Sequence, residues 1–264
     1  MNLPKILFLA LVGSAAIASA QIVNLPGTGA GSTPGATDPN WDVYHFSDKA
    51  GINVVTGTAG LSSYLTYANS GTAVELATAH DSTPYGSAWV AAPANNTWLS
   101  INTNASGNPI GDVNNSPSSS TTRFGGGYAF VFDLGAALVG KHIAFWEPVS
   151  LSLTLRGDNG FSAHLIAPDS FGQWTAGAEL LGSTIQNFRS TDTAAVINFT
   201  GTLTRSTDLV VLLSNDAITS TNNPAGLLVT DFTAYNPVPE PSTYGAIAGL
   251  ALVGFAVWSR RKRS

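Results

Sequence analysis

Short alternating runs fill the middle of this chain. A two-residue period is what a β-strand with one buried face requires. Leu151, Leu153 and Leu155 alternate with Ser150, Ser152, Thr154 and Arg156. Tyr128, Phe130 and Phe132 alternate with Ala129 and Val131, and Ile197 and Phe199 with Asn198 and Thr200. Residues 209–213 are apolar without interruption, as in a strand buried on both faces. Residues 226–235 are the last strand candidate, and only residues 176–186 offer a helical one. Turn residues separate these runs about every ten positions. The pattern predicts an all-β fold, an antiparallel two-sheet β-sandwich of jelly-roll type with little helix. Residues 41–236 are expected to form it as one domain. A Gly-, Pro-, Thr- and Ser-rich flexible lead-in is expected over residues 21–40. The polar stretch 102–120 reads as a long loop.

Composition removes several functions. Cys is absent, which excludes a disulfide frame, a thiolate metal site and a cysteine nucleophile. Charged residues are 10% of the chain, but a hydrophobic share of 44% argues against disorder. Residues 21–237 hold six basic and 15 acidic residues, a net charge of −9. So acidic a surface offers no footprint for nucleic acid.

Both ends of the chain read as targeting segments. Lys5 precedes an apolar run over residues 6–17, and Ala18-Ser19-Ala20 follows. Small residues at Ala18 and Ala20 are what signal peptidase reads, so residues 1–20 are a signal peptide cut before Gln21. At the other end, residues 244–258 are apolar and Arg260, Arg261, Lys262 and Arg263 follow. As a helix, these 15 apolar residues reach only about 22 Å against a hydrocarbon core of about 30 Å. The flanks favour a membrane helix all the same. Tyr244 and Trp258 sit where interfacial aromatics belong, and the basic tail is held in the cytoplasm by the positive-inside rule. Three prolines, at 237, 239 and 241, keep the preceding stretch extended.

Val238, Pro239, Glu240 and Pro241, then Ser242-Thr243, a short apolar helix and a terminal basic cluster, resemble the PEP-CTERM sorting signal of exported bacterial proteins. The resemblance covers residues 237–264. It implies that a membrane-embedded, exosortase-like protease reads Pro239-Glu240-Pro241, removes the helix and passes the protein on. The expected location is therefore the inner membrane in transit, then the cell surface or the medium, with exopolysaccharide as the implied surroundings. A looser resemblance covers residues 85–235. Trp98-Leu99-Ser100, the strand 127–134, Asp158-Asn159-Gly160, Asn215 and Asn223-Pro224-Ala225-Gly226-Leu227 look like the galactose-binding-like jelly-roll sandwiches of many such proteins. The chain departs from that pattern at Trp146-Glu147-Pro148, where such domains often carry an Asp-Asn pair.

Candidate chemistry between the two signals is sparse. His45, His80, His142 and His164 have no ligand spacing, so they read as half-buried strand residues and no metal site is assigned. Glu75, Glu147 and Glu179 are unpaired in sequence, and no nucleophile elbow is present. No catalytic residue is assigned and the chain is read as a non-enzyme. Oxygen-rich loops suit Ca²⁺ at Asp112, Asn114 and Asn115 or at Asp158 and Asn159. The competing reading of Asp158-Asn159-Gly160 is a hairpin turn. Trp41, Trp89, Trp98, Trp146 and Trp174 are available to stack on sugar rings, with core packing as the alternative for each. The sequence thus describes an exported, non-catalytic surface or matrix protein. A carbohydrate-binding module acting on exopolysaccharide is the alternative, and a polysaccharide-active enzyme ranks third.

Overall fold

Twelve strands alternate with three short helices in the structure, a computed structural model that describes residues 22–30, 38–47, 52–71, 73, 75–76, 79–81, 89–100, 126–215, 226–237, 249 and 258. The strands are β1 (Val23–Asn24), β2 (Trp41–Ser47), β3 (Glu75–Leu76), β4 (Ala79–Asp81), β5 (Trp98–Ser100), β6 (Gly126–Phe132), β7 (Val149–Gly157), β8 (Phe161–Pro168), β9 (Trp174–Thr184), β10 (Ala195–Gly201), β11 (Asp208–Asn215) and β12 (Gly226–Tyr235). The helices are α1 (Ile52–Val55), α2 (Gly57–Ala68) and α3 (Leu134–Gly140). Sheet A has the order β10-β7-β12-β5-β4, with β1 also on β12; sheet B has the order β3-β2-β6-β11-β8-β9. Every pairing among the described residues is antiparallel. The all-β, two-sheet antiparallel sandwich expected from the alternation is what forms. It lies within a compact unit, Ile22–Tyr235.

Residue parity decides which side chains enter the core. Leu151, Leu153 and Leu155 of β7 meet Tyr128, Phe130 and Phe132 of β6 and Leu209, Val211 and Leu213 of β11 in one buried cluster. Burying a Leu or Phe side chain contributes about 1.5–3 kcal/mol. In β12 the inward residues are Leu227 and Val229, then Phe232 and Ala234. This change of parity needs one extra residue, and a bulge between Thr230 and Thr233 provides it, with Asp231 at φ 52°. Residues 209–213 are buried on both faces, as their unbroken apolarity implies. Val210 and Leu212 point away from the core and pack with Ala129, Val131 and Ile166 beneath Leu61 and Tyr64 of α2.

Several expectations are corrected. Residues 176–186 are not a helix; they fall mostly in β9, where register shifts against β8 interrupt the alternation. The lead-in is not wholly flexible. Val23 and Asn24 pair with Ala234 and Thr233, and buried Asp38 accepts a hydrogen bond from the Gly29 N–H at 2.8 Å. The sandwich therefore begins at Ile22, ahead of Trp41. Asp158-Asn159-Gly160 is not a hairpin turn. It is an arch that carries the chain from β7 in sheet A to β8 in sheet B, with Asn159 at φ 73°. Among the described residues no helix is long and apolar enough to cross a membrane. Of the apolar tail 244–258 only Gly249 and Trp258 are described.

Candidate functional site

The same parity that fills the core leaves three carboxylates on the outer face of sheet B. Trp41 and Val43 point inward, so Asp42 and Tyr44 of β2 point outward. Phe132 and Leu209 point inward, so Val131 on one strand, and Asp208 and Val210 on the next, point outward, and Asp133 follows directly after β6 as the N-cap of α3. The register places Asp42, Val131 and Val210 in one row, with Asp208 one outward position further along β11 and Asp133 just past the end of β6. Asp42, Val131, Asp133 and Asp208 line a groove of about 480 Å³, with Tyr44, Tyr64 of α2, Trp174 of β9 and Arg205 also in its wall. That volume lies within the roughly 300–1,000 Å³ of small-molecule sites.

Local features hold the walls in place. Asn69, the C-cap of α2, pairs with the backbone of Trp174 like a neighbouring strand. Its Oδ1 accepts from the Trp174 N–H at 2.8 Å and its Nδ2 donates to the Trp174 carbonyl at 2.9 Å. Asp133 caps α3 by accepting from the Ala136 N–H at 2.8 Å. The turn bearing Arg205 packs directly on α3 at Gly135, where a Cβ would run into the Arg205 carbonyl. The Gly135 N–H donates to the Thr207 carbonyl at 2.8 Å.

The electrostatics of the groove are uneven. Burial pushes the Asp208 carboxyl up to about 7, and Asp133 and Asp42 add to the rise. Burial also raises the Tyr64 phenol, with Tyr44, Asp208 and Asp42 contributing. Tyr64 is only 4% exposed, and its ring packs edge-on against Phe46 at 5.7 Å. Its hydroxyl makes no hydrogen bond among the described residues and is not a buried unpaired atom, so it meets solvent. The groove therefore combines carboxylate acceptors, a phenol and a guanidinium as donors, and aromatic walls.

The outer face of sheet A is closed instead. Trp89 and Trp98 lie with ring centroids 4.4 Å apart, tilted by 39°, and pack with Phe188 and Leu228. The Trp89 indole donates to Asp158 at 2.7 Å and the Trp98 indole to the Val90 carbonyl at 2.9 Å. Burial pushes Asp158 up to about 6, opposed by the bond from Trp89. A polar pair also lies beneath the start of α2. Ser162 and His164 Nε2 are 2.9 Å apart, and the Gly57 N–H donates to Ser162 at 2.8 Å. Both side chains are buried, and burial lowers the His164 pKa.

The candidate residues are scattered. Trp41, Trp89 and Trp98 are core residues, Trp174 is half-buried in the groove wall, and Trp146 stands 85% exposed in the loop before β7. The five tryptophans thus make no common platform. His45, His80 and His164 lie in strands, with His164 fully buried rather than half-buried. His142 is an exposed turn residue at φ 59°, against the strand expectation. Glu75 is in β3, Glu147 in the loop before β7 and Glu179 in β9. Asp158 and Asn159 are buried, and the Asn159 side chain lies 3.4 Å from that of Asn215. No group of three or more His, Cys, Asp or Glu among the described residues is placed to hold a metal ion. Asp112, Asn114 and Asn115 lie outside the described residues, as do Ala18, Ala20, Val238, Pro239, Glu240, Pro241, Arg260, Arg261, Lys262 and Arg263. The groove itself is absent from the sequence reading. The signal for it is an acid at an outward position near the end of each of three core strands.

Residues 237–262 match the PEP-CTERM protein-sorting motif. No curated protein matches the chain. Among solved structures, the CBM22-1 and GH10 modules of a Clostridium thermocellum endo-1,4-beta-D-xylanase, complexed with xylohexaose, align at 7% identity and a TM-score of 0.32. That alignment covers 61% of this chain and 25% of the xylanase chain. The CBM22-1 xylan-binding domain of Paenibacillus barcinonensis Xyn10C aligns at 12% identity and a TM-score of 0.33, over 61% of this chain and 83% of that one. The K2 cleaved adhesin domain of Lys-gingipain aligns at 10% identity and a TM-score of 0.35, over 82% and 98%. The chain thus joins an antiparallel two-sheet sandwich to a PEP-CTERM sorting motif over residues 237–262.

Proposed function

We propose that this is an exported, non-catalytic surface or extracellular-matrix protein of a bacterial cell. An apolar helix over residues 244–258 holds it in the inner membrane, and an exosortase-like protease then passes it to the surface. The observation that carries this reading is the ordered tail: Pro239-Glu240-Pro241, an apolar stretch, then Arg260 to Arg263, of which residues up to 262 fall within the matched sorting motif. The basic cluster resists translocation, which leaves the sandwich outside. The prolines keep the stretch before the helix extended, the backbone form a protease binds. Signal peptidase acts first, at Ala18 and Ala20. The test is a fractionation blot in the native host. Glu240→Ala or Pro239→Ala is expected to leave a full-length species in the membrane fraction. Wild-type protein that stays full length in the inner membrane would show a plain tail anchor.

The groove favours a second reading, in which the sandwich binds polysaccharide. Aromatic walls beside carboxylates and a guanidinium supply the two things a pyranose ring needs, an apolar face to stack on and partners for its hydroxyls. The same carboxylates are the feature an enzyme would need. Residues 21–237 on a glycan array, with and without Ca²⁺, test the binding. Release of reducing ends from a bound polysaccharide would replace the non-catalytic reading with the hydrolytic one.

A further inference from the structure

Resting on the reading of residues 244–258 as a membrane helix, we infer that the end of the sandwich from which the chain leaves β12 is a membrane-docking surface, with Trp146 and Phe171 as its anchors in the lipid headgroup layer. The strand registers define this end. Tyr235, the last residue of β12, pairs with Ser150 near the start of β7, and Gly201 at the end of β10 pairs with Val149. On sheet B, Phe132 at the end of β6 pairs with Leu209 near the start of β11, which pairs in turn with Leu165 of β8. The Asp158 arch joins the two sheets at the opposite end. The loop 141–148 before β7 and the loop 169–173 between β8 and β9 therefore both lie at the end where β12 finishes.

Each of those two loops holds out one aromatic ring. Among the described residues from Ile22 to Tyr235, the large apolar side chains left exposed include Trp146 at 85% and Phe171 at 87%. Val139 of α3 and Ile22, next to the Val23–Ala234 pair, are exposed at the same end. The arch end exposes the aliphatic Ile185 and Val196 instead. A single exposed apolar side chain needs no explanation, but aromatic rings gathered at one end are what the boundary between lipid and water retains. The Phe171 loop is fixed by Asp169, which accepts from the Phe171 and Gln173 N–H groups at 2.8 and 2.9 Å, so little ordering is left to do on insertion. Chain length names the occupant. Eight residues, 236–243, separate Tyr235 from the apolar stretch, and three of them are proline. At about 3.1 Å per residue such a tether reaches about 25 Å, so this end stays close to the bilayer that the tail enters. The charge of −9 over residues 21–237 gives no attraction to anionic lipid, which leaves docking to the rings. Two rings bind weakly by themselves; the tether raises their effective concentration at the surface, and loss of the tail would free the sandwich.

The experiment reconstitutes the full chain in phosphatidylcholine vesicles that carry a lipid-borne fluorescence quencher. The chain has no Cys, so Gly140→Cys and Ser190→Cys each create one site for a fluorescent label. Both positions are exposed, and a Cβ at Gly140 meets nothing within 4 Å. Gly140 lies at the docking end, and Ser190 lies between β9 and β10 at the arch end. The label at 140 is expected to be quenched about threefold or more over the label at 190, because the tether and the rings together hold that end in the headgroup layer. Trp146→Ser combined with Phe171→Ser should bring the two labels level without lowering the melting temperature, since both side chains are exposed. Equal quenching in a wild-type chain that floats with the vesicles would overturn the docking surface and leave the membrane helix intact. A chain that does not float with them would overturn the membrane helix and the docking that rests on it. Stronger quenching at 140 that survives the double substitution would overturn the assignment to the two rings.

Discussion

Each sheet carries aromatic rings on its outer face with an aspartate beside them, yet one arrangement is closed and the other open. On sheet A, Asp158 accepts from the Trp89 indole at 2.7 Å, and Trp98 covers the pair. On sheet B, Asp208 and Tyr64 line one groove, and neither side chain makes a hydrogen bond among the described residues. Burial raises both aspartates, to about 6 and about 7. Perturbation alone therefore does not separate a structural acid from a binding one. Open volume beside the acid does.

Substitutions can break this comparison. The largest effect is expected from Trp89→Ala, about 3–5 kcal/mol of lost stability by denaturant unfolding, because the ring is a buried core element. Trp174→Ala, on a half-buried groove wall, should cost clearly less; equal losses would mean that both clusters are structural. Leu153→Ala should cost about 2–5 kcal/mol, while Ser152→Ala, on the opposite face of β7, should be near neutral. Asp158→Ala leaves the Trp89 N–H without its acceptor in a buried setting and should cost about 1–3 kcal/mol.

Asp208→Asn should act through pH. The folded-state pKa of Asp208 lies above its ordinary 3.8, so between about 4 and about 7 the folded chain binds the proton more tightly than the unfolded one. The stabilisation tied to that proton is complete below about pH 4 and is lost as pH rises through about 7. Asn does not titrate, so the variant should melt above wild type at pH 8 and lose that advantage at pH 4. Calorimetry at the two pH values checks this, and a constant difference would assign Asp208 a packing role. The smallest effect is expected from Tyr64→Phe, within about 0.5 kcal/mol of wild type, since the lost hydroxyl has no partner. A loss near that of Asp158→Ala would mean that the hydroxyl is bonded after all.

Much of the sandwich was legible in the sequence because strand parity is a local property. Leu151 to Leu155 and Tyr128 to Phe132 read directly, and the last strand runs over residues 226–235 as expected. Helix α2 was hidden although Leu61, Tyr64, Leu65 and Ala68 follow helical spacing. Its exposed side is Ser and Thr rather than charged, and two glycines, Gly57 and Gly60, interrupt its first turn. The arch at Asp158 read as a hairpin because Asn at positive φ serves both. The groove was not legible. Asp42, Asp133 and Asp208 come from three strand ends far apart in the chain, and only the pairing of β2, β6 and β11 gathers them. The tail is the opposite case, because its three parts are contiguous and their order alone carries the signal.

The reading of the protein as exported and sorted is tested most directly by the intact mass of the form recovered from the native cell surface or medium. A chain that begins at Gln21 and ends close to Pro241, without the apolar stretch and Arg260 to Arg263, is the predicted result. A mass that retains the tail through Ser264 would contradict it.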